Sequence, residues 1–136
     1  GMAHKLSYAI ATAGVRPKDF ILCTIHRQEN TDNPERLRAI FEGLAAIAQQ
    51  TPVVLPMHPR TKSSLEAAGL MGLTEGLHLI APMGYLDMVA FEKAAAVIVT
   101  DSGGVQKEAF FQQVPCVTLR DQTEWVELVN AGWNRF

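Results

Sequence analysis

The chain has 136 residues, 48% of them hydrophobic, with 12 basic against 14 acidic side chains and a formal net charge of −2. That supplies apolar material for one core, and a near-neutral balance without a block of either sign argues against nucleic acid or an anionic membrane as the main partner. Every apolar run falls well short of the ~20 residues that cross a bilayer.

The chain opens on Gly1-Met2, which reads as an expression scar, without the charged and apolar regions of a signal peptide. Leu6, Ile10 and Ala13 follow at helical spacing and predict a short helix over 2–13 that stops at Gly14. After Pro17, the nearly continuous apolar run 20–26 (FILCTIH) predicts a first strand buried on both faces. Asn33-Pro34-Glu35 is a strong helix start, continued by Leu37, Ile40, Phe41, Leu44, Ile47 and Ala48. Residues 52–57 predict a second strand closing at His58-Pro59, and 61–68 a short helix stopped by Gly69. The alternation then repeats: strand 77–80, helix 85–94, strand 96–100, helix 105–113 and strand 116–119. A last helix begins at Glu124, runs to Ala131 and stops at Gly132.

Apolar strands alternating with amphipathic helices describe βαβ units around a parallel sheet, so the expected fold is a Rossmann-like, doubly wound α/β domain over residues 1–136. No closing strand or helix follows 131, which suggests a piece of a longer protein. Cys23 and Cys116 lie inside strand-like runs without CxxC spacing and read as buried, reduced thiols, which suits the cytoplasm.

In open α/β sheets ligands bind beyond the carboxyl ends of the strands. Four of the five expected strands end in polar groups: His26-Arg27-Gln28-Glu29-Asn30, His58-Pro59-Arg60, Asp101-Ser102-Gly103-Gly104, and Arg120-Asp121-Gln122-Thr123-Glu124. The third of these joins a strand to a helix whose free amides favour an anion, and two glycines let a diphosphate approach the backbone. Alternatively, Asp101 or Ser102 caps the helix and the glycines only make a tight turn. Glu108 sits one turn further in, where it either accepts two ribose hydroxyls or is a solvated helix carboxylate. His26 beside Arg27 pairs a titratable imidazole with a permanent fork of donors, both suited to a diphosphate leaving group. His58 and Arg60 are either ligand contacts or loop residues fixed by Pro59, and Arg120 either holds a phosphate or pairs with Asp121 or Glu124. The four histidines are scattered, with no HxxxH and no Cys/His cluster, so no metal is expected. Ser102 has no glycine two residues before it and is not a hydrolase nucleophile elbow.

Taken in order, TIHRQEN (24–30), His58-Pro59, TDSGGVQKE (100–108), LRDQTEW (119–125) and NAGWN (130–134) resemble the C-terminal half of the non-hydrolysing UDP-N-acetylglucosamine 2-epimerases. The resemblance covers most of the chain from about residue 20, and its last two segments are most similar to the branch with a TEW signature. It implies the UDP-holding half of a two-domain glycosyltransferase-B type fold, with an N-terminal domain as partner, no cofactor and a possible homodimer. Relatives of this kind eliminate UDP in the anti sense to a 2-acetamidoglucal and add it back, inverting carbon 2. On this chain the resemblance places Ser102, Gly103 and Gly104 at the diphosphate of UDP or a UDP-N-acetylhexosamine, with Glu108 at the ribose hydroxyls. It puts His26 and Arg120 near the phosphates, with His26 the catalytic candidate; Arg27 and His58, from the strand ends beside them, are the further expected UDP contacts. The carboxylates acting at carbon 2 would belong to the other half, so this chain alone is expected not to epimerise. Arg120-Asp121 replaces a proline-containing version found in some relatives. The nucleotide half of a glycosyltransferase of the same type, or a non-catalytic nucleotide-sugar module, would share these residues.

Overall fold

The computed structural model describes residues 10–11, 13–119 and 122–131, the side chains at 122–124, 128 and 131 excepted. Most of the expected helix over 2–13, along with Arg120 and Asp121, lies outside the described residues. Among the described residues, five parallel strands form one sheet: β1 (Ile21–Thr24), β2 (Val53–Pro56), β3 (His78–Ile80), β4 (Val97–Thr100) and β5 (Cys116–Thr118), in the order β3-β2-β1-β4-β5. The helices are α1 (Gln28–Thr31), α2 (Pro34–Ala48), α3 (Pro59–Ala67), α4 (Tyr85–Ala94), α5 (Gly103–Phe111) and α6 (Gln122–Ala131), with a 3₁₀ turn at Met71–Thr74. The strand order reverses between β1 and β4, so the fold is the expected Rossmann-like doubly wound sheet.

Strand periodicity divides the core. Ile21, Cys23, Val53, Leu55, Val97 and Val99 face α2, α3 and α6, meeting Leu37, Phe41, Leu44, Leu65 and Trp125. Leu22, Val54 and Ile98 face the other way, packing with Ile10, Phe20, Phe91, Val105 and Ala109. Both faces are covered, as β1 and β4 require, being buried throughout.

The expected α2 start is confirmed: Asn33 Oδ1 accepts from the Glu35 and Arg36 amides at 3.0 and 3.2 Å, with Pro34 at the first helical position. The stop at Gly69 is also present. Gly69 adopts φ +72°, its amide donates to the Glu66 carbonyl, and the Leu70 amide donates to that of Leu65, a Schellman ending.

Other boundaries differ from expectation. Helix α3 begins at Pro59 rather than 61 because His58 Nδ1 caps it, accepting from the Arg60 amide at 3.1 Å. Helix α5 begins at Gly103 rather than 105 because Ser102 Oγ accepts from the Val105 amide at 3.3 Å. The two glycines therefore form the first turn of the helix instead of a preceding loop. Cys116 is only half-buried, since β5 is an edge strand; Cys23, in the central strand, is fully buried. Among the described residues, no helix is long and apolar enough to cross a membrane.

Candidate nucleotide site

The carboxyl ends of β1 and β4 lie side by side, because Thr24 and Thr100 are register partners. Their hydroxyls are 2.6 Å apart in the buried sheet end, and Thr100 Oγ1 also accepts from the Ser102 amide at 3.0 Å. Immediately beyond, Asp101 turns inward and is 7% exposed. Its Oδ1 accepts from the His26 amide at 2.8 Å, and its Oδ2 from the Arg27 amide at 3.0 Å and from Asn30 Nδ2 at 2.8 Å. Asn30 Oδ1 in turn accepts from Arg36 Nε at 3.1 Å. A buried carboxylate needs such donors to offset its lost hydration, and here they fix residues 26–30 against the start of α5.

This clamp leaves a cleft of about 310 Å³ at the sheet's switch point, whose lining includes Arg27, Glu29, Ser102, Gly103, Gln106 and Thr118. The first helical bond of α5 runs from the Gln106 amide to the Ser102 carbonyl at 3.0 Å, and Ser102 Oγ takes the Val105 amide. The Gly103 and Gly104 amides precede these and have no helical acceptor, so the positive end of the helix opens toward the cleft. The fold itself does not demand glycine here. A Cβ at Gly103 would meet nothing within 4 Å, one at Gly104 would lie an ordinary 3.7 Å from Ser102 Oγ, and neither residue has positive φ.

Arg27 reaches across the cleft mouth, its Nη1 donating to Glu29 Oε1 at 2.8 Å in an exposed ion pair. The Glu29 hydrogen bond, then the charges of Glu29 and Asp101, raise the guanidinium pKa above its ordinary value and keep it cationic. A second recess, of about 150 Å³, lies on the other side of the clamped turn and is lined by Ile25, His26, Thr31, His58, Arg60 and Thr61. Because His58 Nδ1 accepts from the Arg60 amide, its Nε2 carries the proton in the neutral ring.

The structure thus brings Arg27, Ser102 and Gly103 to one cleft, with Gly104 exposed beside it, and brings His26 and His58 to a neighbouring recess. Glu108 is half-exposed and does not line the cleft; it stands on the α5 flank beside Glu92 of α4. Arg120 lies outside the described residues. Ser102 does cap its helix, while Asp101 clamps the β1 loop instead of capping. The Asp101–Asn30 clamp and the cleft residues Gln106 and Thr118 were not legible in the sequence, where Glu29 appears only as one of the polar groups after the first strand. Asn30 carried one legible signal, as the last residue of the TIHRQEN motif.

The family pattern described as UDP-N-acetylglucosamine 2-epimerase matches residues 2–136. The chain belongs to this epimerase family. It is 52% identical over 128 residues to the UDP-2,3-diacetamido-2,3-dideoxy-D-glucuronate 2-epimerase of Pseudomonas aeruginosa, covering 93% of this chain and 35% of that protein. It superposes on the UDP-GlcNAc 2-epimerase of Methanocaldococcus jannaschii with TM-score 0.79 at 40% identity, covering 95% of this chain and 37% of that one. For the same enzyme in complex with UDP-GlcNAc and UDP the TM-score is 0.74, at 40% identity and with coverages of 96% and 38%. An E. coli heptosyltransferase with ADP, at 14% identity, TM-score 0.54 and coverages of 74% and 33%, shares the fold alone. The chain spans about a third of the length of these epimerases.

Proposed function

We propose that the chain is the half of a UDP-sugar 2-epimerase that grips UDP, with the diphosphate at the α5 N-terminus. The observation that carries this reading is the cleft at the β1/β4 switch point. There two glycines that the fold does not need expose unclaimed helix amides, and Arg27 stands opposite as a permanent cation. The M. jannaschii relative in complex with UDP-GlcNAc and UDP supports a nucleotide of this class.

In this reading Gly103, Gly104 and Ser102 hold the diphosphate and Glu108 accepts the ribose hydroxyls. His26 and His58 approach the phosphates from their recess, His26 being the group that can supply a proton as UDP departs, and Arg120 adds a second cation. Elimination of UDP from the sugar builds negative charge on the leaving diphosphate. Donors aimed there lower the barrier because they interact more strongly with the transition state than with the ground state. UDP then adds back to carbon 1 of the glucal on the face it left, while a proton returns to carbon 2 on the face opposite to the one it was taken from, inverting carbon 2. The acid and base at carbon 2 come from the domain that completes the enzyme, so this chain by itself binds without epimerising.

Calorimetric titration of the 136-residue chain with UDP, UDP-N-acetylglucosamine and NAD tests the reading. UDP and the UDP-sugar bind, and Gly103→Val, which fills the cleft without straining the backbone, weakens both by about tenfold or more. NAD binding as tight as UDP, or an unaffected G103V, overturns it.

A further inference from the structure

Glu92, in the last turns of α4, has no solvent-accessible surface, and neither of its carboxylate oxygens has a hydrogen-bond partner. The Oε1 of Gln112, at the end of α5, is likewise buried without a partner. Glu108, one turn before Gln112, lies beside Glu92, close enough for the two carboxyl groups to interact but outside hydrogen-bond geometry. From β5 the group meets the Cys116 thiol, whose own pKa is raised by burial and then by Glu92. At the C-terminal end of α4, Lys93 is exposed and Lys18 Nζ donates to the Ala95 carbonyl at 3.3 Å. Apart from the Gln112 side-chain amide, which lowers the Glu92 pKa, this pocket is therefore rich in acceptors and short of donors. Unpaired buried acceptors are costly, and a proton on Glu92 supplies the missing donor at the smallest structural change.

We propose that Glu92 is the positioning residue for Glu108: as a neutral acid it hydrogen-bonds one Glu108 oxygen and leaves the other for the two ribose hydroxyls. This rests on the UDP reading of the Glu108 side chain. Burial, then the hydrogen-bonding and charge of Glu108, push the Glu92 carboxyl up to about 8 against a smaller lowering by the Gln112 side chain, so the acid form prevails at neutral pH. Above that, ionised Glu92 repels Glu108 and adds a second charge near a ligand that is already an anion.

The test is calorimetric titration of UDP onto the chain at pH 7 and pH 9, using wild type, Glu92→Gln, Glu92→Met and Glu108→Gln. Wild type loses roughly tenfold in affinity between the two pH values, as a single proton released near pH 8 requires. E92M, which cannot donate, binds several-fold more weakly than wild type at pH 7 by the loss of one hydrogen bond to a charged group. E92Q restores binding through its amide and keeps it at pH 9. An E92Q that loses affinity with pH as wild type does, or an E92M equal to wild type at pH 7, overturns the proposal; should E92M not fold, the E92Q profile decides. Failure of wild type to bind UDP, or an E108Q with full affinity, instead removes the UDP reading on which the proposal stands.

Discussion

Asn30 donates its side-chain amide to Asp101 at 2.8 Å across 71 residues of sequence, joining the end of α1 to the end of β4. This bond and the two backbone amides on the same carboxylate make the cleft a fixed shape rather than the chance meeting of two loops. Asp101→Ala leaves three donors without their acceptor in a nearly buried place and should destabilise the fold by about 2–4 kcal/mol. Asp101→Asn keeps one acceptor oxygen and places an amide against donors, so it should cost less stability than D101A while still loosening Arg27. Urea denaturation of both variants, with UDP titration of whichever folds, checks the order D101A worse than D101N worse than wild type.

The Arg27–Glu29 pair has a different consequence. Both side chains are more than half exposed, so the pair contributes little to stability. It does, however, hold the cation at the cleft mouth partly neutralised, and a diphosphate must compete with the Glu29 carboxylate for it. Glu29→Gln should therefore leave the melting temperature within a degree or two and strengthen UDP binding by about two- to fivefold at low salt. The gain should shrink as ionic strength rises, because the released charge is screened. Weaker UDP binding in E29Q would mean that Glu29 itself meets the ligand.

Gly43 is set by a neighbour rather than by its backbone. A Cβ there would stand 2.5 Å from Trp125 Nε1 and 2.7 Å from two ring carbons, while that Nε1 donates to the Ala39 carbonyl at 3.1 Å. The indole thus lies flat on α2 in a space only glycine leaves open, and it is 2% exposed. Gly43→Ala gains helix propensity but must push the ring away. Overpacking of this kind costs about 1–3 kcal/mol, more than the ~1 kcal/mol that alanine recovers. The variant should lose stability and shift Trp125 fluorescence to the red as the ring meets water; a blue shift with a higher melting temperature would contradict this contact.

Sequence legibility followed the range of the interactions involved. The strands at 20–26, 52–57 and 96–100 were legible because burial on both faces needs unbroken apolar residues, and the start of α2 because Asn33-Pro34 acts within three residues. The early starts of α3 and α5 were missed although their caps are local, since Pro59 and Gly103-Gly104 also read as turn residues. The four-residue α1 has too little periodicity to show, and Cys116 was placed too deep because edge position is a property of the sheet order. The rim of the site was visible as polar strand ends. The inward turn of Asp101, the separation of His26 from Ser102 and the contact of Glu108 with Glu92 were not, because each depends on contacts between residues far apart in the chain.

Glu92 also fixes a pH dependence of stability, separate from its proposed part in binding. Its carboxyl titrates at an ordinary 4.5 when the chain is unfolded and is pushed up to about 8 in the fold, chiefly by burial. Between those values the folded chain holds a proton that the unfolded chain has released. Stability therefore falls as pH rises across that window, by at most about 1.4 kcal/mol per unit, and levels off above the folded value. Below 4.5 both states are protonated and the group contributes no slope. Glu92→Gln removes the titration and keeps the shape, so its stability at pH 8 should exceed that of wild type by about 1–4 kcal/mol while the two converge toward pH 5. Urea midpoints measured from pH 5 to pH 9 show this directly. Parallel curves for E92Q and wild type would mean that the buried carboxyl ionises freely, and that the acceptor-rich pocket between α4 and α5 finds its donor elsewhere.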